Sequence, residues 1–271
     1  MNRLLNFGCG GIVHAEWVNL DSVPIAAGVI AHDLRRAFPF SDASFDAVYG
    51  SHVLEHLEPP AAVRLLRECR RILKPDGIAR VVVPDLEAIA RLYLESLESA
   101  LAGRSEAARR YDWAMLELYD QAVRIVSGGA MQAYLRGAMD EQQARFIASR
   151  IGEEALAPAP AGAPTRSRLA RAASAARRLA ARASAFLFLG HEGLEAMREG
   201  LFRRSGEVHR WMYDRYSLRR ALEDAGFEDV RVRAADQSLI PGFARYGFEA
   251  RNGRARKPDS LYVEARKPAR S

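Results

Sequence analysis

Leu4-Leu5-Asn6-Phe7-Gly8-Cys9-Gly10-Gly11 is the stretch that decides the fold. A short apolar run breaks into small residues, the pattern of a strand running into a turn. Glycine removes the Cβ obstruction there, so a ligand can approach the backbone closely. The dinucleotide fingerprint needs a third glycine at position 13, and the chain has Val13, which weakens a nicotinamide site.

Working outward, Trp17-Val18-Asn19-Leu20 runs into Asp21, and Val29-Ile30-Ala31-His32 runs into Asp33. Two carboxylates thus close two successive strands beside the glycine turn, all at the carboxyl edge of a sheet, where open α/β folds bind ligands. A carboxylate after the second strand can accept both hydroxyls of a ribose, and one after the third can accept an adenine amine. The competing reading makes both aspartates turn or cap residues.

Phe45-Asp46-Ala47-Val48-Tyr49 alternates and stops at Gly50-Ser51. Pro59-Pro60 opens a helix with Val63, Leu65, Leu66, Cys69, Ile72 and Leu73 at helical spacing. Lys74-Pro75-Asp76-Gly77 is turn chemistry, and Ile78 to Val83 is a β-branched strand ending at Pro84-Asp85. This rhythm predicts an open, doubly wound, mostly parallel α/β sheet.

From about Leu86 to Glu207 the rhythm gives way to helical spacing, with Gly128-Gly129 as a break and Asp140 as a cap for a helix ending near Ile151. It resumes where Asp214 or Ser217 caps a helix stopped by Gly226, followed by two alternating strands at Asp229–Arg233 and Ser260–Glu264. The expected organisation is a sheet domain over residues 1–90 and 208–271. A helical insertion, or lid, fills 91–207, with a Pro/Ala linker at 157–164 and an arginine-rich stretch at 166–182.

The 271 residues hold 40 Lys+Arg against 34 Asp+Glu and are 49% hydrophobic, which excludes a wholly disordered chain. Cys9 and Cys69 cannot build a disulfide framework. No apolar run reaches the roughly 20 residues that span a bilayer, and nothing at the start resembles a cleavable signal, so the expectation is a cytoplasmic protein. The excess positive charge sits in the acid-free stretch containing Arg166, Arg168, Arg171, Arg177, Arg178 and Arg182, and in the tail from Arg251. A solvated face is the plainer reading of that stretch; an anionic partner is the sharper one.

Taken together, Leu4 to Gly10, Asp33-Leu34 followed by Phe38-Pro39-Phe40, Ser44 to Val48, Leu54-Glu55-His56-Leu57 and Arg70 to Gly77 resemble class I S-adenosylmethionine-dependent methyltransferases. The resemblance is continuous over residues 3 to 86 and looser over 214 to 267. It implies a Rossmann-like, seven-stranded sheet with an antiparallel last strand and S-adenosylmethionine as cofactor. By the same resemblance, Gly8 and Gly10 hold the methionine portion, Asp21 the ribose, and Asp33 with Leu34 the adenine. Asn6, Phe7, Cys9, Ser51 and His52 complete the expected cofactor set. Only ten residues separate Gly10 from Asp21, too few for the full helix usual in that family. The same shortening occurs in a bacterial branch, often encoded among polysaccharide genes, that this chain is similar to. The Tyr49-Gly50-Ser51-His52 end of the fourth strand lacks the Asn/Asp-Pro-Pro-aromatic signature of amino methyltransferases acting on bases.

His52, Glu55 and His56 stand at i, i+3, i+4. Ubiquinone-type O-methyltransferases and small-RNA 2′-O-methyltransferases carry Glu-x-x-Glu-His metal ligands in this region. Here a histidine replaces the first glutamate, so the expectation is a metal-free reaction with a single general base. His56 leads His209, which lies in His209-Arg210-Trp211-Met212-Tyr213-Asp214, and Asp85 follows as a residue better suited to capping. The predicted activity is O-methylation of a hydroxyl on a sugar, glycan or other small molecule. The alternatives are an RNA 2′-O-methyltransferase, disfavoured because the arginine stretch lacks interleaved aromatics, and a non-catalytic binding scaffold.

Overall fold

The structure is a computed structural model that describes residues 3–156 and 168–269. Strands β1 (Leu4–Phe7), β2 (Trp17–Asp21), β3 (Val29–Ala31) and β4 (Phe45–Ser51) are joined by loops with only turns in them. Helix α1 (Pro59–Ile72) leads into β5 (Leu73–Pro84), whose pairing with β4 is interrupted at the Lys74–Gly77 turn. Helices α2 (Leu86–Leu101), α3 (Ser105–Met115), α4 (Gln121–Val123), α5 (Gly129–Arg136), α6 (Glu141–Ile151) and α7 (Arg168–Arg203) follow. The chain returns through α8 (Arg215–Asp224), β6 (Glu228–Arg233), a hairpin of β7 (Ala250–Arg251) and β8 (Arg254–Ala255), and β9 (Ser260–Arg266).

Seven strands make one sheet in the order β3-β2-β1-β4-β5-β9-β6. All pairs from β3 to β5 are parallel, and β9 alone runs against its neighbours. This is the expected mostly parallel, seven-stranded Rossmann-like sheet with an antiparallel last strand. Alternate residues of each strand serve opposite faces. On one face Leu5, Phe7, Leu20, Phe45 and Val48 pack against Leu65, Leu66 and Ile72 of α1 and Leu218 and Leu222 of α8. Asp214 caps α8 by accepting from the Ser217 amide at 2.7 Å while Ser217 Oγ accepts from the Asp214 amide.

The other face lacks helices from the β1–β2 and β2–β3 connections, yet Leu4, Trp17, Tyr49 and Val82 on it are buried. Their cover comes from the segment between β6 and β9, through Ile240, Phe243, Tyr246 and Phe248. Phe248 stacks on Tyr49 at 5.0 Å with rings 4° apart. The pin that holds this cover is Arg80 of β5, which is 0% exposed. Its guanidinium bonds Glu249 and Glu264, donates to the Gln237 carbonyl at 2.7 Å, and lies 4.9 Å from the Phe243 ring. One buried cation between two carboxylates is sustained because the guanidinium finds several partners. The sequence reading left residues 234–259 without a role; they replace the missing helices.

The insertion is helical, as expected, and Asp140 caps α6 by accepting from the Gln143 amide at 2.8 Å. Trp113 is buried and bonds Glu117, which also takes Arg150 at 2.6 Å. Helix α7 breaks at Gly190 (φ 66°, ψ −155°) and leaves Leu187, Phe188 and Leu189 exposed. The Pro/Ala linker and Arg166 lie outside the described residues.

Candidate functional site

The loop after β1 is held from both sides. Gly8 (φ +63°) donates its amide to the Leu20 carbonyl at 2.7 Å, and Gly10 (φ +51°) donates to Asp21 Oδ2 at 2.8 Å. Positive φ is the region glycine enters without a Cβ penalty. The two glycines differ in their surroundings. A Cβ on Gly8 would strike Val53 at 2.3 Å, so Gly8 permits packing against the loop after β4; a Cβ on Gly10 would meet nothing within 4 Å. Gly10 therefore faces open space, the fit expected for a nucleoside-bearing cofactor lying across the strand ends.

Asp21 uses its other oxygen to accept from the Val23 amide at 2.8 Å. Its carboxylate braces the turn and keeps lone pairs for ligand hydroxyls. Asp33 takes Arg35 in a bidentate pair at 2.9 and 2.8 Å, and that hydrogen-bonded guanidinium holds its pKa at about 2. An adenine amine at Asp33 must share the carboxylate with Arg35. Leu34 is partly buried against the core and reaches toward Gly8.

Asn6 and Phe7 serve the loop from behind. The Asn6 amide donates to the Ile12 carbonyl at 2.8 Å and to Asn19 Oδ1 at 3.1 Å, and the Phe7 ring is buried beneath Gly50. Neither side chain faces the ligand side. Cys9 is buried, and burial beside Asp21 pushes its thiol up to about 11, so it is no nucleophile.

The second half of the site follows β4. Ser51 ends the strand, and His52 adopts φ 56°, a left-handed conformation uncommon outside glycine. The helical turn is confined to Leu54–His56, so His52 lies outside it, a correction to the single helical face expected for the triplet. His52 still meets Glu55, Nδ1 to Oε1 at 3.0 Å, while its Nε2 contacts Ser260 Oγ at 3.0 Å.

His209 arrives from the far end of the insertion. The strap carrying it is bonded to the sheet edge: the Arg210 and Trp211 amides donate to the Glu55 carbonyl at 2.6 and 3.2 Å, and the Leu86 amide donates to the Tyr213 carbonyl at 2.9 Å. These bonds bring His209 beside His56, with ring centroids 4.9 Å apart. Glu55, His56 and His209 offer one ligand atom each within 4.8 Å of one another. Spacing alone did not join His209 to Glu55; the signal was the polar His-Arg-Trp cluster at the return to the sheet.

Glu55 is 0% exposed. Burial alone would raise its pKa, but the bond from His52, with His209 and His56 nearby, holds it below the usual carboxylate value. His209 is buried, and burial drops it to about 4 against the pull of Glu55, so it is neutral near pH 7. His56 Nδ1 faces the Val208 carbonyl at 3.3 Å; a carbonyl only accepts, so Nδ1 donates there. Asp85 accepts from the Glu87 and Ala88 amides at 3.0 and 3.2 Å as the cap of α2, which commits it to a structural task.

Residues 5–81 match the sequence model of a family described as a methyltransferase domain. No curated protein matches the chain. Solved structures are similar at low identity. The Haloferax volcanii complex of the Trm112 methyltransferase activator with a methyltransferase has TM-score 0.40 and 12% identity over 98% of this chain and 83% of that one. An S-adenosylmethionine-dependent methyltransferase from Methanosarcina mazei gives 0.40 and 12% over 98% and 92%, and one from Thermotoga maritima 0.38 and 12% over 98% and 82%.

Proposed function

We propose that the chain, whose residues 5–81 match a methyltransferase domain, is a class I S-adenosylmethionine-dependent methyltransferase that methylates a hydroxyl oxygen on a sugar, a glycan or another small molecule. The observation that carries this reading is His56, its Nδ1 turned to the Val208 carbonyl, one turn past β4 and beside the loop that packs on Gly8. An alcohol needs a base at the sheet edge, and the fourth strand lacks the Asn/Asp-Pro-Pro-aromatic signature of amino methyltransferases acting on bases, which disfavours an exocyclic amine of a base as acceptor.

Bound S-adenosylmethionine supplies a methyl group on a sulfonium. Gly10, with open space above it, admits the cofactor, and Asp21 fixes both the turn and the ribose. His56 Nε2 would accept the proton of the acceptor hydroxyl, whose oxygen would take the methyl group that the bound sulfonium supplies and leave a neutral thioether. Neutral His209 packs edge-on against His56 and holds the ring. In-line positioning of the two reactants supplies much of the rate. The test is a methyl-transfer assay with the cofactor against sugar, nucleotide-sugar and small aromatic alcohols. Transfer to amines but never to hydroxyls would overturn the oxygen assignment.

A further inference from the structure

We propose that Glu55, His56 and His209 form a binding site for a single divalent transition-metal ion, zinc, iron(II) or cobalt rather than magnesium. Two imidazoles and one carboxylate are the donor set such ions select, and three protein ligands leave a coordination position open for a substrate oxygen.

Three independent features of the cluster converge on this. Glu55 is wholly buried; one carboxylate oxygen lies against His52 Nδ1, and the other has no hydrogen-bond partner. A buried carboxylate oxygen left bare is costly, and an ion satisfies it. His56 directs its Nδ1 proton at the Val208 carbonyl, the outer bond that metal-ligating histidines make to aim the opposite nitrogen. His52 stands in the same outer relation to Glu55, itself held by Ser260. The His209 ring makes no hydrogen bond among the described residues, although its backbone amide is fixed to the Gln121 carbonyl at 2.8 Å. Lys257 lies close enough to feel the Glu55 charge, and Arg124 acts on His209 in the same way.

This assignment reverses the expectation of a metal-free site, which considered His52, Glu55 and His56 as the ligand set. The set changes because the strap delivers His209, while His52 turns outward to Ser260. With an ion in place His56 would serve as a ligand instead of the proton acceptor proposed above, and the ion would supply the acidification that a bound hydroxyl needs to release its proton to solvent. That use of the site rests on the methyl-transfer reading; the binding itself does not.

The experiment therefore reads binding without substrate. The full chain, untagged, stripped with chelator and dialysed, is titrated with zinc by calorimetry and with cobalt by visible absorption. A single equivalent should bind, with cobalt bands that zinc displaces. His56→Ala and His209→Ala should each weaken binding at least about 10–100-fold, whereas His191→Ala, on the exposed face of α7, should not. Glu55→Gln keeps the side-chain shape and should also lose the ion, with circular dichroism verifying that each variant is folded. No uptake by the parent chain, or equal uptake by folded His56→Ala and His209→Ala, overturns the site. Methyl transfer to alcohols that persists in the stripped, ion-free protein overturns the ion's part in the transfer while leaving the oxygen assignment standing. Specific ion binding without transfer to alcohols supports the site and counts against that assignment.

Discussion

The amide of Gly10 and the carboxylate of Asp21 meet at 2.8 Å, so the residue that closes the second strand also sets the shape of the turn after the first. The turns after β1 and β2 both depend on one side chain. Asp21→Ala should weaken S-adenosylmethionine and S-adenosylhomocysteine binding by about 1.5–3 kcal/mol, because hydrogen bonds to a charged group are lost. Calorimetry on the folded variant checks this, and unchanged affinity would remove Asp21 from the site.

Turnover should fall about 10²–10⁴-fold in His56→Ala with cofactor affinity little changed. Single-turnover methyl transfer and cofactor calorimetry, run side by side, separate the two effects. His209→Ala should also lose turnover, since its ring is the neighbour of His56.

Arg80 is the shared cation of Glu249 and Glu264. Arg80→Met removes it and leaves two carboxylates facing each other in a buried place. Such a change should destabilise the chain by about 3–5 kcal/mol, read as a lower urea midpoint.

Burial pushes Glu249 up to about 7, with Arg80 pulling the other way. Its folded pKa then exceeds its unfolded value, so between about pH 4.5 and 7 the folded state holds a proton that the unfolded state has released. Stability must fall as pH rises through that window, by up to about 3 kcal/mol. Glu249→Gln should flatten this part of the stability profile. A profile as steep as the parent's would place the proton elsewhere.

Deleting residues 157–184 should leave cofactor binding intact. The described side chains from Leu179 to Ser184 are exposed, and exposed groups contribute little to folding. Loss of cofactor binding in the deletion would make the segment part of the core.

The parts of the fold legible in the sequence are those written locally. The break after Phe7, the Asp140 cap and the Asp214–Ser217 capping box each involve residues within a few positions of one another. The aromatic cover on the second face was illegible because Phe243, Tyr246 and Phe248 follow neither strand nor helix period and find Trp17 and Tyr49 across some two hundred residues. The site divides the same way. Gly10 and Asp21 share a local grammar, whereas His209 joins Glu55 only through backbone bonds from Arg210 and Trp211. His52 misled because its positive φ takes it off the helical register that its spacing suggested.

The late aromatic cover also governs how the chain acquires its shape. During synthesis the first five strands emerge long before Phe243 and Phe248, so the face bearing Trp17 and Tyr49 stays sticky until the segment from Ile240 to Phe248 is made. Contacts this remote in sequence form slowly, and partly finished chains with bare apolar surface aggregate. A fragment ending near Arg233 would have every strand of the parallel core and still fail as a soluble product, which makes the segment from Ile240 to Phe248 the step that completes folding.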